Sequence, residues 1–162
     1  MKIFGFAIVF FVAVAIAGLL VGQLGFLRGS MPGDLGAPNG KLKQPSSTPN
    51  SVSSQADLYP EHPQLSYARI EPLRYNGDAA KAMDRLETIV RAMDRTVVVT
   101  REPLYLYAQN STAMLKFTDD VEFWLDTANH VIQVRSASRL GRKDFNVNRE
   151  RVEKIRAQFM KN

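Results

Sequence analysis

Residues 120–139, DVEFWLDTANHVIQVRSASR, decide the fold of this 162-residue chain. Val121, Phe123 and Leu125 alternate with Asp120, Glu122, Trp124 and Asp126, the period of a half-buried strand. Ala128-Asn129 marks a turn, and Val131 to Arg139 runs back. A tight turn there sets Phe123 opposite Val134 and Glu122 opposite Arg135. That register gathers Val121, Phe123, Leu125, Ile132 and Val134 on one buried face and leaves an opposite-charge pair on the other.

Upstream of the hairpin, Asp78 is placed to cap a helix whose Ala79, Met83, Leu86, Val90 and Met93 recur at helical spacing. Glu87 and Arg91 add an i,i+4 pair. Tyr67 to Leu73 alternates weakly and reads as a first strand. Thr96 to Thr100 is a β-branched run, and Leu104, Leu106 and Ala108 alternate with Tyr105, Tyr107 and Gln109. Downstream, Asn148 is placed to cap a last helix bearing Val152, Ile155 and Phe159 as one apolar stripe. The sum predicts an α+β domain over residues 65–162, a mostly antiparallel sheet of about five strands with two helices packed on it.

Two segments of different character precede that domain. Residues 1–28 read as an N-terminal transmembrane anchor, because Ile3 to Gly22 are twenty consecutive apolar or small residues and the apolar run continues to Leu27. A helix of that length crosses a hydrocarbon core of roughly 30 Å. Lys2 and the small pair Ala15 and Ala17 also fit a cleavable signal peptide, but the run continues past the point where such a segment usually ends. Gly18 and Gly22 have the spacing that seats a partner helix. Residues 29–64 hold six prolines and many serines, a composition that buries too little apolar surface to offset its ordering entropy. They read as a tether, or as an extended arm lying along the domain.

The net charge of +5 is unevenly distributed. Residues 135–162 carry nine basic and three acidic side chains, while residues 65–134 carry eight basic and ten acidic. An anion or phospholipid headgroup is one candidate ligand, held by Arg135, Arg139, Arg142 and Arg149 near the start of the last helix. The ordinary use of such charges is mutual pairing, Glu122 with Arg135 and Asp144 with a neighbouring Arg. Asp119, Asp120 and Glu122 invite a metal, but alternation puts Asp120 and Glu122 on one face with Asp119 on the other or in the turn, and two carboxylates supply fewer oxygens than Ca²⁺ takes. With no cysteine and two histidines, thiol catalysis and cysteine metal centres are excluded. No nucleophile elbow, phosphate loop or dinucleotide fingerprint occurs. Ser136 and Ser138 have no evident base. No cofactor, catalytic residue or nucleic-acid partner is expected, and the last helix lacks the aromatic interleaving that nucleic-acid binding uses.

Several stretches resemble a family known only as domain of unknown function 1499. They are Leu35-Gly36, Pro49-Asn-Ser-Val-Ser-Ser54, Asp119-Asp-Val-Glu-Phe123, Val134 to Gly141, Asp144, Val147-Asn-Arg149, Arg151-Val-Glu153 and Ile155-Arg156. The resemblance implies a small bacterial envelope protein, often with an N-terminal membrane segment. The basic residues flanking the apolar run give no orientation, and the expectation is a single pass through the inner membrane with the soluble domain in the periplasm. It supplies no activity. It also implies a Cys-Pro…Pro-Asn-Cys arrangement in the arm, which this chain lacks: Ser51 stands at the second position and the first falls near Pro45-Ser46. Its polar positions map onto Asp120, Glu122, Arg135, Ser136, Ser138, Arg139, Asp144, Asn148 and Arg149. These form either a buried polar network or a small-ligand cleft. The expectation is a non-enzymatic binding or assembly module with an envelope protein partner or anionic lipid; a hydrolase using Ser136 or Ser138 with Asp120 or Asp144 is the remote alternative.

Overall fold

The computed structural model describes residues 2–161. The helix α1 spans Lys2–Gln23, and its segment Gly5–Gln23, with mean hydropathy 2.7, is long and apolar enough to cross a membrane. The remaining elements are β1 (Ser51–Ser53), α2 (Leu65–Ala68), β2 (Leu73–Arg74), α3 (Ala79–Arg91), β3 (Thr96–Arg101), β4 (Tyr105–Ser111), β5 (Thr118–Asp126), β6 (Val131–Ser138) and α4 (Val147–Phe159). The fold is α+β, with one antiparallel sheet of six strands in the order β1-β6-β5-β4-β3. β2 pairs with the other end of the β6 edge that β1 occupies.

The β5–β6 register follows the alternation pattern. Glu122 lies opposite Arg135 and Phe123 opposite Val134, across a loop of residues 127–130. Val121, Phe123, Leu125, Ile132 and Val134 face a core completed by Leu106, Leu73 and Val52 from neighbouring strands. Met83, Leu86 and Val90 of α3 and Val152, Ile155 and Phe159 of α4 close that core from above. Asp78 caps α3 by accepting from the Lys81 N–H.

Two local expectations differ. Residues 65–68 form a helical turn rather than strand, closed by Ala68 N donating to Gln64 O, and only Leu73–Arg74 pair with β6. Asn148 does not cap α4. The chain enters α4 through Phe145 and Asn146 at positive φ, and the Asp144 carboxylate accepts from the backbone N–H groups of Asn146 and Asn148. This frees the Asn148 side chain to turn into the core. At the end of α1 Gly22 lies against a loop of the same chain: a Cβ there would lie 2.8 Å from the Leu115 backbone.

The segment from Gly29 to Ser46 covers the sheet face away from the helices, before the chain joins the sheet edge as β1. Gly36 N–H donates to Glu122, and Gly40, at φ +73, lies so close to the Trp124 ring that a Cβ would sit 2.6 Å from it. Leu42, Val52 and Ala56 are buried. Ser51 Oγ accepts from Ser46 N–H at 2.8 Å, so a hydrogen bond closes the arm between the two regions where the resemblance implies cysteines. Leu42→Ala should therefore cost about 2–5 kcal/mol of unfolding free energy, as for a buried leucine, measured by urea denaturation of the detergent-solubilised chain. The exposed Leu58, changed to Ala, should stay within about 0.5 kcal/mol.

Candidate functional site

Alternation along β5 sends Asp119 to one face of the sheet and Asp120 and Glu122 to the other, and each of these three meets its own arginine, while Asp126 at the strand's end accepts from Asn129 and Gln133 instead. On the arm side, Glu122 Oε2 accepts from Arg135 Nη1 at 3.0 Å, while its Oε1 accepts from Tyr105 Oη at 2.8 Å and Gly36 N at 2.9 Å. Two residues earlier, Asp120 Oδ1 accepts from Arg139 Nη2 at 2.7 Å and from Tyr107 Oη at 2.6 Å. On the helix side, Asp119 Oδ2 accepts from Arg151 Nη2 at 2.5 Å. All six charged side chains are at most 9% exposed. At that depth each charge needs its partner, because an isolated buried ion costs several kcal/mol.

The helix-side pair belongs to a larger buried network. Ser136 Oγ donates to Asn148 Oδ1 at 2.6 Å, and Arg151 Nη1 donates to both Ser136 Oγ and Asn148 Oδ1. Asn148 Nδ2 reaches Asn50 O, Ser138 Oγ and Asp144 Oδ2. Tyr67 Oη donates to Asp144 Oδ1. Thus Ser136, Ser138, Asp144 and Asn148 are joined through α4, β6 and the arm backbone. Arg149 lies outside this network and donates to Tyr67 O. Arg142 is exposed and has no ion-pair partner among the described residues.

Two tyrosines belong to the site that the alternation of β4 placed on the polar face without revealing their partners. Burial pushes the Tyr107 phenol up to about 12, and its hydrogen bond to Asp120 adds to the shift. Burial, then the charge of Glu122, raises Tyr105 further. Both remain neutral donors over the whole physiological range. Arg151 and Asn50 lie in the stretches that carry the resemblance but, like Asn110, outside its mapped polar positions; the i,i+3 spacing of Asn148 and Arg151 is the sequence signal that joins Arg151 to the site. Among the described residues no group of three or more carboxylate or imidazole side chains could hold a metal ion.

Beside these pairs the arm leaves an open cleft of about 510 Å³, lined by Met31, Leu35, Leu104, Tyr105, Tyr107 and Trp124 among others. Val99 and Thr100 of the edge strand β3 form part of its wall. A smaller cavity of about 190 Å³ lies between Arg135, Arg139, Asp120 and the arm's Lys43 and Ser46, and the buried Arg135 Nε has no hydrogen-bond partner.

Removing one member of a buried pair strands the other charge, so the costs of the two losses should not add. Asp119→Ala strands the Arg151 guanidinium and should destabilise by about 3–5 kcal/mol in urea denaturation, while Asp119→Leu combined with Arg151→Met should cost less than the sum of the singles. The tyrosines give a pH signature. A folded-state value above the ordinary 10.0 means that stability is complete below pH 10 and declines as pH rises through about 12. Tyr107→Phe should flatten that alkaline decline, read from denaturation midpoints across the same range.

Comparison with known proteins gives a family and no activity. No curated protein and no solved structure matches the chain. The family model described as protein of unknown function, DUF1499, matches residues 41–159. That span begins just before the buried Leu42 of the arm and ends at Phe159, the last residue of α4, so it takes in every strand of the sheet. The chain is a member of the DUF1499 family.

Proposed function

We propose that the protein is a membrane-anchored, non-enzymatic binding module of the bacterial cell envelope, with its domain on the periplasmic side. The observation that carries this reading is the cleft between the arm and strands β4 and β5. It is open, mixes the aromatic Tyr105, Tyr107 and Trp124 and the apolar Met31, Leu35 and Leu104 with the polar Thr100 and Glu102, and adjoins β3, the free edge of the sheet, where Val97 and Val99 are exposed. An apolar wall beside unpaired strand backbone suits an extended segment of a partner protein, which can dock side chains in the cleft and add hydrogen bonds along the edge. The length and apolarity of α1 support the anchor.

The arrangement of the polar residues supports binding over chemistry. The Ser136 hydroxyl hydrogen is directed to Asn148, and Ser138 Oγ accepts from the same amide. Asp120 is bound to Arg139 and Asp144 to backbone N–H groups, so neither stands beside a serine as a free base.

A photo-crosslinking residue at Val99, compared with one at the equally exposed Leu58, tests the reading in intact membranes. The expected result is a discrete protein adduct from position 99 that is absent from position 58 and is reduced at least about tenfold by Leu104→Asp, which sets a charge in the cleft wall. Identical adducts from both positions, or an adduct indifferent to Leu104→Asp, would overturn it.

A further inference from the structure

Strand register brings three connections to one end of the domain. Thr96 lies opposite Asn110, Ser111 opposite Thr118, and Asp119 opposite Ser138. The α3–β3 turn at 92–95, the β4–β5 turn at 112–117 and the β6–α4 loop at 139–146 therefore share that end. The C-terminus of α1 meets it. Gln23 Nε2 donates to Met114 O at 2.8 Å, and Gly22 lies against the Leu115 backbone. Gly29, at φ +68, packs against Arg139 and Leu140. The chain thus contacts two of these connections within the few residues that follow the apolar helix.

The surface at this end has a consistent chemistry. Met114 is 62% exposed and Phe145 is 84% exposed. Phe145 is held outward at a positive φ that bulky residues rarely adopt, by an Asp144 carboxylate fixed to the N–H groups of Asn146 and Asn148. Around them stand Arg28, Arg95, Arg142 and Lys143, all exposed, and Lys116, half-buried; none forms an ion pair among the described residues. Asp94 and Glu150 are the exposed carboxylates at this end. The opposite end, where α3 and β4 begin, presents Asp78 and Glu102 but also exposed Arg74, Lys81 and Lys161. The end where α1 emerges is set apart, among the described residues, by unpaired cations that surround the outward-held Phe145 and Met114.

We propose that this end rests in the headgroup layer of the bilayer that α1 spans. Phe145 and Met114 enter the interface, and Arg28, Arg95, Lys116, Arg142 and Lys143 hold anionic phospholipid headgroups. The inference rests on the reading of α1 as a membrane anchor. Arg135 and Arg139 take no part, because Glu122 and Asp120 already occupy them. The contact orients the domain, so that the cleft on its arm-side face projects along the membrane rather than turning freely about a tether. The bilayer is favoured over a soluble anion because the cations are dispersed around exposed apolar side chains instead of converging on one pocket.

Amide hydrogen exchange of the full chain in lipid nanodiscs tests this, with discs of phosphatidylcholine alone or phosphatidylcholine mixed with phosphatidylglycerol. The amides of residues 112–117 and 140–146 should exchange at least about tenfold more slowly in the anionic discs, since each basic residue near such a surface contributes about fivefold. High salt should remove the difference. Arg142→Glu with Lys143→Glu should remove it too, while leaving protection of β5 and β6 unchanged. Equal exchange of these loops in the two discs, or protection that survives the double charge reversal, would overturn the proposal while the anchor reading stands. A chain that separates from the discs overturns both.

Discussion

Three carboxylates within four residues of one strand, all buried, are tolerable only because each finds a guanidinium. Asp119, Asp120 and Glu122 lie on β5 with Arg151, Arg139 and Arg135 as their partners. Stripped of their partners, such groups would have to be protonated or solvated, and the sheet would open to admit water. The pleat divides them. Asp119 faces α4, and Asp120 and Glu122 face the arm. One short stretch of β5 thereby ties both outer layers to the sheet by charge. The helix layer is held through Arg151, Asn148 and Ser136. The arm layer is held through Gly36 N–H on Glu122 and through the fit of Gly40 against Trp124.

This constraint shapes what the domain offers to partners. Charges committed to one another inside the protein are poor ligand groups, since a ligand must first displace a partner in a medium where that partner is strongly held. What remains accessible lies around the paired core: the aromatic cleft by β3 and the cationic, apolar end near α1. The tyrosines that close the pairs also shape the cleft, because Tyr105 and Tyr107 present their rings to it while their hydroxyls reach Glu122 and Asp120.

Much of the fold was legible because a strand with one apolar face writes its register in alternation. Val121, Phe123 and Leu125 against Ile132 and Val134 leave little freedom, and a one-residue slip would turn the charged set into the apolar core beneath the helices. The Glu122–Arg135 pair followed from that register. Residues 65–73 were less readable, because their alternation is weak and Tyr67 is drawn to Asp144 from a helical turn. Asn148 was misplaced as a cap for a related reason. A polar residue at a helix start resembles a cap, and only the tertiary position of Asp144 shows that the cap comes from two residues before Asn146. The partnership of Asp119 with Arg151 joins residues 32 apart in sequence, and no local pattern announces such a contact.

The account stands on the claim that these ion pairs are closed structural units. A double-mutant cycle on Glu122→Gln and Arg135→Met, read as unfolding free energy of the full chain in detergent, tests it most directly. The account predicts a coupling of about 1–3 kcal/mol, the range for buried residues in direct contact. A coupling near zero, with each single change costing little, would contradict it, for then Arg135 would be free to serve another partner.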